Sequence, residues 1–148
     1  MKKMAKIWHL ILLFGLFASS AVAQPQTNVA TLPVNYGGAQ VYRNIDIDEA
    51  DVGISTSPAT LYGWHIFNSA TATRFFKFYN AGAANVTVGA TAPFLTIPLP
   101  AGAAANVYFP QGIRFSSAIT IACVTGVADS STGAPGANEC VGNIFYKN

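Results

Sequence analysis

The stretch Thr73–Asn80, "TRFFKFYN", sets Arg74 and Lys77 among four aromatic rings, and its reading decides what kind of molecule this is. As a nucleic-acid platform, the rings would stack on bases while the two cations held phosphates. As a β-strand, a period of two places Arg74, Phe76, Phe78 and Asn80 on one face and Phe75, Lys77 and Tyr79 on the other. Phe76 and Phe78 then form a core pair. Phe75, Lys77 and Tyr79 form an aromatic outer face, a candidate contact surface.

Charge argues for the strand. The chain opens "MKKMAKIWHLILLFGLFASSAVAQ", with Lys2, Lys3 and Lys6 ahead of the short apolar run Ile7–Phe17 and the small-residue signature Ala21-Val22-Ala23. That order is a signal peptide over residues 1–23, cut before Gln24, and its apolar run falls short of the roughly 20 residues a membrane span requires. No stable span is expected after cleavage. Loss of the leader leaves Arg43, Arg74, Lys77, Arg114 and Lys147 against six acids. A slightly acidic mature chain lacks the field that drives binding to a phosphate backbone. Nucleic acid is therefore not an expected partner, and the compartment is secreted, periplasmic or extracellular.

The remainder, residues 24–148, has the length of one domain. It is rich in Gly, Ala, Thr, Val, Asn and Pro and has no charged stretch of helical period. Short β-branched and aromatic runs between turn residues predict an all-β, two-sheet sandwich or jelly-roll-like domain of about eight to nine antiparallel strands. In "QVYRNIDIDEAD" the alternation puts Val41, Arg43, Ile45 and Ile47 on the inner face and Tyr42, Asn44, Asp46 and Asp48 on the outer. A turn at residues 35–38 precedes it. "LYGWHIFN" is the next strand, and a short one is expected at Val86–Val88. In "FLTIPLPAG", Pro98 and Pro100 cannot donate ladder bonds, which predicts a sheet edge. "ANVYFPQG" and "IRFSS" read as two strands about a Pro110-Gln111-Gly112 turn. "AITIACVTGVAD" and "ECVGNIFYKN" flank the loop Ala128–Asn138, which has no apolar anchor. Asp129, Ser130, Ser131 and Thr132 in it are further contact candidates.

The chemistry on offer is sparse. Cys123 and Cys140 are the two cysteines, and in an oxidising compartment they are expected to pair from adjacent antiparallel strands, closing a loop of about 17 residues. "IDIDEAD" carries four of the six acids. Asp46, Asp48 and Asp51 are weak calcium candidates, since the stretch lacks the order of a dedicated calcium loop. The simpler reading is a solvated face that discourages edge pairing. His65 is the one histidine after the leader, and no nucleophile motif accompanies it. No catalytic residue, cofactor or dedicated metal site is expected, and the chain is read as no enzyme.

From Leu61 to Lys147, the pieces "LYGWHIFN", "KFYN", "VTVGATAPFLTIPLPAG", "GIRFSSAITIACVTGVAD" and "VGNIFYK" occur in an order that resembles small β-rich proteins encoded in tailed bacteriophage and prophage genomes. The resemblance implies a non-enzymatic, virion-associated, decoration-like protein and brings no catalytic residues. The leader departs from that pattern, because a capsid component assembles in the cytoplasm. The expectation is therefore an exported binding or self-assembling β-sandwich of phage-like origin, surface or virion-associated, with copies of itself or other surface or virion proteins as partners. One alternative is a secreted glycan-binding adhesin domain using Tyr62, Trp64 or Tyr79, although a core role for Trp64 is the favoured reading. The other is a virion decoration protein with an uncleaved N-terminus.

Overall fold

A computed structural model describes residues 38–148. The expected leader, its cleavage position and residues 35–37 of the expected turn lie outside them. The described chain forms eight strands: β1 (Gln40–Asn44), β2 (Val52–Gly53), β3 (Ala59–Asn68), β4 (Arg74–Tyr79), β5 (Leu95–Leu99), β6 (Ala104–Phe115), β7 (Thr120–Val124) and β8 (Cys140–Lys147). They make two four-stranded sheets, β1-β8-β3-β6 and β2-β7-β4-β5, with antiparallel neighbours throughout. This is the all-β two-sheet sandwich expected from the turn spacing. Among the described residues the sheets are open, so four strands lie at edges.

One core fills the space between the sheets. Phe76 and Phe78 of β4 are fully buried in it with Leu61, Ile66, Phe115, Ile121 and Ile144, each such side chain contributing roughly 1.5–3 kcal/mol of burial. Contacts across the core fix how the sheets face each other. Trp64 of β3 lies 5.5 Å from Phe78 of β4, and Phe94, just before β5, lies 5.0 Å from Phe115 of β6. The Cys123–Cys140 disulfide joins β7 to β8. The two strand orders therefore run in step, and the short turn after Pro100 carries the chain from the β5 edge to the β6 edge on one flank.

That disulfide corrects one expectation. Both cysteines are fully buried and bonded, with Cα atoms 6.5 Å apart, but β7 and β8 belong to different sheets. The bond is a staple across the core rather than a link within a hairpin, because β8 inserts between β1 and β3 while β7 inserts between β2 and β4.

β1 reverses the expected faces. Tyr42 packs against the core, whereas Val41 is 58% and Ile45 46% exposed. The strand stops at Asn44, whose Oδ1 accepts the Asp46 N–H at 2.8 Å. Beyond that bend the period restarts, and Ile47 enters the core, its N–H donated to the Cys140 carbonyl.

β3 changes face partway. Leu61 and Trp64 both point inward although two residues lie between them, which in a regular strand would set them on opposite faces, because Tyr62 is an extra residue opposite β8: Leu61 pairs with Tyr146 and Gly63 with Phe145. Opposite β6, residues 109–112 bulge out between the partners Tyr108 and Ile113. Hence "ANVYFPQG" and "IRFSS" are one bulged strand, not two strands about a turn. Gly63 has φ 154°, and a Cβ there would lie 2.2 Å from the Val107 carbonyl oxygen. Glycine alone permits so close an approach. The expected strand at Val86–Val88 is absent: a 3-10 turn, Ala83–Asn85, leads Val86 into a small separate cluster.

Candidate contact surfaces

The outer face of β4, expected to be open, is sealed by the protein's own chain. Lys77 is fully buried and Tyr79 1% exposed, and only Phe75 keeps partial access. Two segments cover them. The first follows β4: Val86, Ala81 and Val88 pack on Tyr79 and Ala122, and Thr120 Oγ1 donates to the Ala81 carbonyl at 2.7 Å. The second is the strap after β7, folded back on itself by the Thr125 N–H bond to the Gly133 carbonyl. The segments meet where a Cβ at Gly89 would fall 2.4 Å from Thr132 Cγ2. β7 consequently is buried along both faces.

Lys77 organises this cover. Its Nζ donates to the carbonyls of Ala128 (2.6 Å), Asp129 (3.2 Å) and Ser131 (3.5 Å), so the three ammonium donors meet three strap acceptors. Burial pushes the ammonium below the usual lysine range, an effect the nearby Asp129 charge opposes. Beside it, burial pushes the Tyr79 phenol up, reinforced by Asp129 and then Asp51. The Tyr79 hydroxyl has no hydrogen-bond partner among the described residues, nor has the indole N–H of Trp64. Of the loop candidates, Asp129, Ser130 and Thr132 are exposed on the strap and Ser131 is half-buried.

The strap's far end is fixed by charge. Arg74 donates through Nε (2.8 Å) and Nη2 to Glu139 Oε2, which also accepts the Gly136 N–H at 2.7 Å. The Gly136 bond, then Arg74, holds the Glu139 carboxyl below its ordinary range.

The acidic stretch acts as a brace. Asp46 Oδ1 accepts the Asn138 N–H at 2.6 Å, and Asp48 Oδ1 accepts the Ala50 N–H at 3.0 Å. Between them, the Ile47 N–H reaches Cys140 of one sheet and the Asp48 carbonyl takes the Cys123 N–H of the other. Asp46, Asp48 and Asp51 are not brought together as calcium ligands, because the chain leaves the strand at Asn44. Among the described residues no three His, Cys, Asp or Glu side chains are grouped to hold a metal ion.

Among the described residues, the open face lies on the other sheet. The outer side of β1-β8-β3-β6 carries a polar middle row of Arg43, Asn143, His65 and Asn106. Val141, Phe67 and Ala104 flank it on one side, and Val41, Phe145 and Tyr108 on the other. Val41, Phe67 and Tyr108 are 58%, 40% and 56% exposed. His65 is exposed and stands edge-on to Phe145 at 5.0 Å. These rows contain no carboxylate. Of the aromatics considered for a sugar platform, Trp64 lies in the core against Phe78 and Phe109 and Tyr79 lies under the segment that follows β4, leaving Tyr62 half-buried.

The sealing of β4 had a signal in the sequence. Thr120, Ala122 and Val124 alternate with Ile121 and Cys123, so β7 offers no charged face to water and reads as covered on both sides.

No helix among the described residues is long and apolar enough to cross a membrane. The buried disulfide fits a compartment outside the reducing cytoplasm. Compared with protein-family models, curated proteins and solved structures, the chain finds no match.

Proposed function

We propose that this chain is an exported, non-enzymatic, self-assembling or binding β-sandwich of phage-like origin, working at a surface or on a virion. One observation carries the reading: the outer face of β1-β8-β3-β6 is left open with exposed Val41, Phe67 and Tyr108, while the opposite sheet is closed by its own chain. Apolar surface left in water on a stapled scaffold is what an interface requires. Several polar side chains are engaged in holding loops: Asp46 and Asp48 cap backbone N–H groups, and Lys77 and Glu139 anchor the strap. A phage-like origin rests on the ordered pieces from Leu61 to Lys147, and export on the basic, apolar and small-residue order of the first 23 residues.

Light scattering coupled to size-exclusion chromatography on the chain recovered from periplasm or medium tests the reading, with intact mass measured on the same sample. A discrete oligomer of a chain that begins at Gln24 is the expected result. A monomer at every concentration directs the open face to a foreign ligand. A full-length mass from a soluble cytoplasmic pool makes the uncleaved virion protein the better account.

A further inference from the structure

Charge is sorted by surface in this molecule. All six carboxylate side chains lie off the strands, in the bend Asp46–Asp51 or on the strap at Asp129 and Glu139. Of the cations in residues 24–148, Arg74 and Lys77 are bonded to the strap. The other three, Arg43, Arg114 and Lys147, stand on the outer face of β1-β8-β3-β6, because their neighbours in sequence, Tyr42, Ile113, Phe115 and Tyr146, pack in the core. Arg43 and Arg114 are exposed and Lys147 is half-buried, and none of the three has a hydrogen-bond or ion-pair partner among the described residues. A chain whose charges sum to slightly acidic thus presents one face with three cations and no carboxylate side chain.

The register spaces those cations widely. Thr60 pairs with Lys147 on one side and Arg114 on the other, which sets the two about 10 Å apart across the sheet. Arg43 pairs with Asn143, four residues before Lys147 on β8, roughly 13 Å along the strand. Between them, Asn143 pairs with His65, and Phe145 stands edge-on to His65 at 5.0 Å. Neither the Asn143 amide nor the His65 imidazole has a hydrogen-bond partner among the described residues.

We infer that this face binds an acidic polysaccharide, a chain of sugars carrying carboxylates at intervals, which names a partner for the binding role proposed above and rests on it. Spacing selects that partner. Duplex nucleic acid presents a charge about every 1.7 Å, and anionic lipid is held by clusters of about four to eight adjacent basic residues; three cations this far apart suit neither. Arg43 and Arg114 take carboxylates through paired N–H donors, Asn143 and His65 bond hydroxyls, and Phe145 offers apolar surface to the C–H groups of a sugar ring. Because these groups stand on a sheet that the disulfide staples to its partner, little freedom is lost on binding.

Affinity electrophoresis of the chain through gels holding polygalacturonate, alginate or hyaluronate tests this, with fully methyl-esterified polygalacturonate as the uncharged counterpart. Retardation by at least one acidic polymer and not by the ester is the expected result, and added salt should reduce it. Arg43→Ala and Arg114→Ala should each weaken binding about two- to fivefold, as for exposed ion pairs, at unchanged circular dichroism and melting point, and Arg43→Lys should lose less than Arg43→Ala. Retardation by none of the acidic polymers, equal retardation by the ester, or retardation unaltered in both alanine variants overturns the inference. Tighter binding to duplex DNA or to phosphatidylglycerol vesicles than to any of the polymers assigns the face to phosphate and overturns it as well. A discrete oligomer that binds no polymer leaves self-assembly standing without this ligand. A monomer that binds none of these probes removes the proposed binding role with it.

Discussion

Lys77 Nζ donates to the Ala128 carbonyl at 2.6 Å, across 51 residues of sequence, from the middle of a strand to the strap that covers it. A cation in the most aromatic stretch of the chain thus acts inward, as the peg of a lid over its own sheet. Lys77→Met keeps the stem and removes the donors, leaving carbonyls without partners. It should lower stability by about 1–3 kcal/mol and speed amide exchange near Thr125, which denaturant titration and hydrogen exchange would register. Unchanged exchange would mean that the strap is held by packing alone.

Tyr79→Phe should act in the opposite direction. The hydroxyl is buried without a hydrogen-bond partner among the described residues, so deleting it removes a desolvation cost and should raise stability by about 1 kcal/mol. A loss of that size would show that the hydroxyl is bonded in solution.

The disulfide joins the two sheets and closes a separation of 17 residues, which the chain-entropy account values at about 3 kcal/mol. Cys123→Ser with Cys140→Ser should lower the melting point by roughly 10–20 °C for a domain of this size and retain the strand signal in circular dichroism. Equal melting points with and without reductant would remove the staple from the account.

Much of the fold was legible in the sequence because alternation is a local property. Phe76 and Phe78, Leu95, Ile97 and Leu99, and the edge position of β5 follow from a period of two and from Pro98. What was not legible depends on a change of period or a distant partner. The bend at Asn44 reversed the reading of Val41 and Tyr42, and the extra residue Tyr62 shifted the register of β3. Cys123 and Cys140 announced a bond, but which sheets they join is set by strand order, which alternation does not encode. The site suffered most. Lys77 and Tyr79 alternate as an outer face should, but a strap some 50 residues away caps Lys77 and the segment after β4 packs over Tyr79.

Acid should loosen the strap. The Glu139 carboxyl is lowered in the folded protein by the Gly136 N–H and Arg74, so the stability it contributes is complete above the ordinary value near 4.5 and is lost as pH falls through the lowered folded value. Melting points from about pH 6 to about pH 3 should show wild type and Glu139→Gln converging at the acid end. Parallel curves would show that the carboxylate adds nothing to folding.

Side-chain footprinting with hydroxyl radicals tests most directly the claim that one sheet face is sealed and the other open. At a dilution where the chain is monomeric, Phe67 and His65 should be modified readily and Tyr79 protected until the protein unfolds. Modification of Tyr79 as fast as of Phe67 in the folded protein would contradict the account, because the outer face of β4 would then not be covered.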